Sequence, residues 1–239
     1  LTVACSEITG DLDRVVAIEY IGSTAPTLEE GDTLRLRARA ISARGDTVPD
    51  AELWWALLDI DSTGNVGFTI DSASGLISTY GPGTGDVQAR VENLGTNAIP
   101  VTVEAAPDSI AAVGEQRVVV DTASASSSPL TVVLLDLTST PGDTLALAGK
   151  PVHFVTVDPP PGSSAAESFF ITESGTQPGS DPHAVWLATA ASGQAGVTAV
   201  RVDGQTQPDS VAIEAIATTA RGDTIAGSPV RFWVLFQNR

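Results

Sequence analysis

The stretch Gly31–Trp55, GDTLRLRARAISARGDTVPDAELWW, decides how the whole chain reads. Leu34, Leu36, Ala38 and Ala40 fall on one side of an alternating run, and Arg35, Arg37 and Arg39 fall on the other. A period of two is what a half-buried β-strand produces, because successive side chains leave a pleated strand on opposite faces. Ser42 to Pro49 then supplies Gly, Asp and Pro, the residues of a chain reversal. Ala51, Leu53 and Trp55 resume the alternation on a returning strand, which places Trp55 inside and Trp54 outside. A large aromatic on such a strand can anchor the centre of a two-sheet core.

Outward from this anchor the pattern repeats. Val15–Ile21, Val66–Ile70, Leu76–Tyr80, Asp86–Glu92 and Ala98–Glu104 read as strands. Pro26–Glu30, Asp71–Gly75 and Gly81–Gly85 read as turns between them, and Leu57–Asn65 as a loop. Short strands with turn signals at this spacing predict a β-sandwich over residues 13–105, preceded by a polar tether over 1–12. Ala105–Ser109 is a hinge. A second sandwich over 106–239 follows, with strands at Arg117–Asp121, Leu130–Asp136, Pro151–Val157, Glu167–Thr172, Ala184–Ala188, Gly196–Val202, Ser210–Thr218 and Pro229–Phe236. Leu137–Ala148 and Asp158–Pro182 read as long loop insertions, and no stretch has a helical period with caps. With 239 residues the chain has room for two such domains of about 100 residues each.

Certain motifs resemble a known superfamily. Glu30-Gly31-Asp32-Thr33-Leu34, Trp55, Ser74-Gly75-Leu76-Ile77-Ser78, Gly81-Pro82-Gly83-Thr84 and the closing Val101-Thr102-Val103 resemble the bacterial immunoglobulin-like domains of group 2. Leu130–Asp136, Gly149–Phe154 and Gly193–Val197 resemble, more loosely, the invasin-like group of the same superfamily. The resemblance implies an all-β fold of two tandem immunoglobulin-like β-sandwiches. It also implies a place among surface proteins, adhesins and accessory modules of secreted bacterial proteins, and brings no shared catalytic site.

Charge narrows the partners. The net charge of −17, with Lys150 the single lysine, repels nucleic acid and anionic membrane surfaces. No apolar run approaches the ~20 residues that cross a bilayer, so direct membrane insertion is not expected. Asn-x-Ser/Thr does not occur. One cysteine, Cys5, allows no disulfide within these residues. Leu1–Cys5, LTVAC, partly resembles a lipoprotein cleavage box, which makes Cys5 a candidate lipid anchor; the alternative is an ordinary N-terminal segment, any signal peptide being already removed. A secreted or cell-surface location is expected.

The constellations for chemistry are sparse. Arg44-Gly45-Asp46 and Arg221-Gly222-Asp223 each sit in Ala-Arg-Gly-Asp-Thr, and are read as turn chemistry rather than as displayed ligands. Gly-Asp-Thr also occurs at Gly31 and Gly142. Asp59, Asp61 and Asp71 are candidate calcium ligands, but the loop form needs an acid at the twelfth place, where Ile70 stands, so a solvated Asp-rich turn is the simpler reading. No cofactor is called for. His153 and His183 lie on or beside apolar strands, and neither a nucleophile elbow nor a zinc spacing accompanies them, so no enzyme is expected.

Outward aromatics carry more. Trp233 shares its strand face with Arg231 and Leu235, opposite Val230, Phe232, Val234 and Phe236. Trp54, Arg231, Trp233 and Leu235 are therefore the candidate interaction residues. They suit contacts with neighbouring copies, neighbouring domains or other surface proteins, or a stacking platform for a glycan. The reading is a spacer, stalk or subunit of an extracellular assembly, with a filament joined through the N-terminal segment or the Trp233 face as one form. The alternative is a carbohydrate-binding accessory module.

Overall fold

The structure, a computed structural model, describes residues 13–58, 66–140, 143–173, 175 and 181–237. The chain divides into two compact units, Leu1–Ala105 and Ala106–Arg239. Among the described residues the sole helical element is a 3-10 turn at Ala166–Ser168; the rest is strand, turn and loop.

In the first unit the strands are β1 (Val15–Ile21), β2 (Thr27–Glu29), β3 (Thr33–Arg35), β4 (Arg37–Ser42), β5 (Trp54–Leu57), β6 (Phe68–Ile70), β7 (Leu76–Thr79), β8 (Gly83–Val91), β9 (Leu94–Gly95) and β10 (Ile99–Glu104). One sheet runs β2-β10-β8-β5, with β9 on β8. The facing layer consists of β1-β4 and β3-β7-β6. The anchor run keeps its two faces but is two strands: β3 pairs with β7, and β4 pairs with β1. The change falls at Leu36, which is buried and whose N–H donates to the Gly75 carbonyl at 2.9 Å. The returning strand is not its hairpin partner. It crosses to the other sheet, where Trp54 and Trp55 pair with Arg90 and Ala89 of β8. Two further expectations are corrected: Pro26–Glu30 contains the parallel strand β2, and β8 begins inside the predicted Gly81–Gly85 turn.

Trp55 is 5% exposed and packs with Leu36, Val66, Phe68, Ile77, Val87 and Val101. Tyr20 meets its ring edge-on, at 6.3 Å between centroids. Gly75 makes room for it: a Cβ there would lie 2.5 Å from the indole nitrogen, and φ at Gly75 is +68°. Glycine is the residue that satisfies both demands.

In the second unit the strands are β11 (Ser109–Val113), β12 (Arg117–Val120), β13 (Leu130–Thr140), β14 (Asp143–Ala146), β15 (Pro151–Asp158), β16 (Phe169–Thr172), β17 (Ala184–Ala188), β18 (Gln194–Arg201), β19 (Ser210–Ile216) and β20 (Val230–Phe236). They form the sheets β11-β13-β18-β16, with β14 on β13, and β12-β20-β19-β15-β17. The predicted insertions carry structure. Leu137–Ala148 continues β13 and returns as β14, and within Asp158–Pro182 the strand expected at Glu167–Thr172 is the buried β16. The hinge likewise runs straight into β11, which pairs with β13. The core gathers Leu130, Leu134, Phe154, Phe169, Ile213 and Phe232, all fully buried.

Both units share one strand order. Named in chain order, β1, β4/β3, β7 and β6 form an A-B-E-D layer, and β2, β10, β8 and β5 an A′-G-F-C layer. In the second unit β11, β13, β18 and β16 repeat A-B-E-D, while β12, β20, β19 and β15 repeat A′-G-F-C with β17 added beyond C. The A-B-E-D and G-F-C layers are those of an immunoglobulin-like sandwich, with A′ added to the second layer in both units.

Candidate functional site

The A′-G-F-C sheet of each unit has an outer face, and the candidate interaction residues lie there. In the first unit Trp54 is 39% exposed, beside Arg90 of the neighbouring strand. The Arg90 guanidinium lies over the indole at 5.3 Å. Its Nε donates to the Gln88 side-chain oxygen at 2.7 Å, and Gln88 donates in turn to the Thr96 carbonyl at 2.6 Å. Arginine on tryptophan is a favourable cation–π pair, so this indole already has a partner on one ring face. A cleft of about 790 Å³ beside it is lined by Leu53, Trp54 and Val91, with Asp50, Glu52 and Glu92 among the other lining residues.

In the second unit the equivalent face holds Arg231, Trp233 and Leu235 of β20, as their alternation predicts. Trp233 is 38% exposed and registers with Arg117 of β12 and Ala212 of β19. Arg231 forms an ion pair with Glu214 across the β19–β20 ladder, its Nε at 3.0 Å. The last strand, Val230–Phe236, is not an edge: β12 and β19 flank it, so the filament reading finds no free strand edge there to accept an added strand. The edges of this sheet are β12 and β17.

The residue that sequence reasoning missed is Trp186, 68% exposed on the edge strand β17. Its imidazole neighbour His153, on β15, is its register partner, and the two rings stack 4.4 Å apart at 8°. In Ala184–Ala188 both faces are apolar, so alternation cannot say which side Trp186 takes. The available signal is the alternation of Val152, His153 and Phe154, which turns His153 outward; a residue directly across the ladder from it points the same way.

The remaining candidates take structural roles. Arg44-Gly45-Asp46 and Arg221-Gly222-Asp223 form the same turn twice, each glycine at φ +87°. Gly45 donates to the Ser42 carbonyl and Gly222 to the Thr219 carbonyl, both at 2.9 Å. The Ser42 and Thr219 hydroxyls accept from the Asp46 and Asp223 amides at 3.3 and 3.1 Å. Asp71 accepts from the Ser74 amide at 2.7 Å, and hydrogen bonding to Ser74 holds its carboxyl below the usual range. Asp59, Asp61, Gly142 and Cys5 lie outside the described residues, among which no group of three metal-ligating side chains occurs. His183 is buried against Phe169, ring centroids 5.2 Å apart, and its Nδ1 has no hydrogen-bond partner among the described residues. Burial holds both His183 and His153 below the ordinary 6.5, against the opposing pull of Asp181.

The strand orders and outward faces define the class: an all-β protein of two immunoglobulin-like sandwiches. No family profile matches the chain, and no curated protein sequence matches it. Among solved structures it is similar to the Yersinia pseudotuberculosis adhesin InvE, at 18% identity over 92% of this chain and 59% of that one, TM-score 0.43. It is similar to FdeC, an Escherichia coli adhesin, at 17% identity over 91% of this chain and 63% of that one, TM-score 0.48. Domains 4 and 5 of the S-layer protein SbsC match at 15% identity over 94% of this chain and 99% of that one, TM-score 0.34. The chain thus spans less than two thirds of either adhesin chain.

Proposed function

We propose that this chain is a non-catalytic structural and adhesive segment of a secreted or cell-surface protein, serving as a spacer or stalk. The observation that carries the proposal is the repetition of one sandwich topology in two consecutive units. Consecutive sandwiches of one topology are the kind of repeated unit from which a stalk is built. The polar groups that could have marked a reaction centre have other work. His153 stacks on Trp186, His183 packs on Phe169, and the Asp71 carboxylate accepts from a turn amide. Its partners in this role are neighbouring domains or copies, or other surface proteins. Labelling intact and permeabilised source cells with antibody against the chain tests the location. Signal on intact cells, or in the culture medium, is expected. Signal confined to permeabilised cells sinks the proposal.

A further inference from the structure

The two A′-G-F-C sheets expose different chemistry. On the first unit's outer face stand Thr84, Asp86, Gln88, Thr102 and Glu104, and the single indole there is covered by Arg90. On the second unit's outer face Val155, Ile216 and Leu235 stand half-buried beside the Arg231–Glu214 pair, and two indoles rise among them, Trp186 and Trp233. Val119, on the edge strand β12, adds a 54% exposed side chain. Such a face on a chain of net charge −17 has a purpose other than solubility.

Geometry chooses the occupant. Trp186 registers with His153, and His153 with Ile216, whereas Trp233 registers with Ala212. The two tryptophans therefore stand three strand spacings and four residues apart, about 20 Å on standard sheet dimensions. Between them lie small or flat side chains and the Arg231–Glu214 ion pair, which leaves the centre of the face without net charge. Five strands averaging about six residues cover a flat footprint of about 500 Å². A stable protein interface needs about 800 Å² from each partner, so a second copy seated on this face alone would not hold.

We propose that the outer face of the second unit's five-stranded sheet binds a neutral, extended glycan of pyranose rings with equatorial substituents, the β-1,4-linked glucose or N-acetylglucosamine type. Equatorial substitution leaves C–H groups on both ring faces, and these stack on an indole. His153 holds Trp186 in its stacking orientation before the ligand arrives, which lowers the ordering cost of binding. Arg231 and Glu214 offer donors and an acceptor to ring hydroxyls between the platforms. The span of the two indoles fits a short oligosaccharide rather than one sugar. The acidity of the chain as a whole disfavours sialylated, sulfated or uronic chains. The inference goes beyond the stalk role and stands apart from it, since a stalk without a ligand would still be found at the surface.

The test uses the full chain. Cellulose and chitin suspensions measure retention, and soluble oligomers of each are titrated against tryptophan fluorescence. Trp186→Ala and Trp233→Ala should each weaken binding about tenfold, with circular dichroism and melting unchanged because both rings are exposed. Trp54→Ala should bind like the parent. Failure to bind either polysaccharide, or binding that survives both substitutions, overturns the proposal. So does binding restricted to acidic glycans. Concentration-dependent self-association that disappears in Trp186→Ala and Trp233→Ala would reassign the face to a second copy.

Discussion

The two units use one strand order to bury different anchors and to show different faces. In the first, the C strand carries Trp55, fitted over Gly75; in the second the C strand carries Phe154, fully buried beside Phe169 and Phe232. The outer sheet face is polar around an indole covered by Arg90 in the first; in the second it carries Trp233 and a Trp186 stacked on His153 by one ring face. The inward positions must fill a shared space, so they accept a limited set of large apolar residues. Outward positions answer to solvent and ligand instead, so they diverge while the topology stays. The contrast sets the proposed glycan face on the second unit, over a strand order that both units share.

The largest expected effects break the anchors. Trp55→Ala should cost about 3–5 kcal/mol in the first unit, and Phe154→Ala a similar amount in the second. Urea titration with hydrogen exchange read separately for each unit checks this. Each substitution should lower protection in its own unit alone; a loss in the other unit would mean the units do not fold independently. Gly75→Ala sharpens the point. It combines positive φ with a 2.5 Å approach to the indole, so the first unit should lose more than about 1 kcal/mol without any loss of aromatic burial.

The paired turns give the next effect. Gly45→Val and Gly222→Val should each destabilise by about 1–2 kcal/mol, and by similar amounts, because both sit at φ +87° with open space around the missing Cβ. Strain alone is then measured, once in each unit. If one variant is neutral, the two turns are not equivalent. Asp46→Glu and Asp223→Glu should leave cell adhesion unchanged; integrin-dependent adhesion lost in either variant would make the tripeptide a ligand rather than a turn.

A pH response should separate the units. The chain's two histidines, His153 and His183, both belong to the second. Burial lowers their folded values beneath 6.5, so the unfolded chain binds protons more readily. The stability linked to them is complete above pH 6.5 and is lost as pH falls through the folded values. Protection in the second unit should therefore drop below pH 6.5, and His183→Phe should blunt the drop. A matching drop in the first unit at that pH would have to come from another group. The smallest effect belongs to Trp54→Ala, which should shift stability by less than about 1 kcal/mol; a loss equal to that of Trp55→Ala would exchange the two faces of β5.

Much of this fold was written locally. The alternation in Leu34–Ala40, Ala51–Trp55 and Val230–Phe236 determined which side chains turn inward. It separated Trp55 from Trp54, and Phe232 from Trp233, because a pleated strand sends neighbours to opposite sides whatever it pairs with. Gly45 and Gly222 likewise declared their turns through a backbone requirement that other residues meet poorly. What the tertiary structure decided was pairing. Leu36 hands the chain from one partner strand to another, β12 lies parallel to β20 more than a hundred residues away, and β17 sets Trp186 on His153. Those choices rest on contacts between distant segments, and a period of two carries no information about which strand lies alongside. Trp186 is the clearest case. Its flanking residues are apolar on both faces, so its exposure was settled only when β15 became its neighbour.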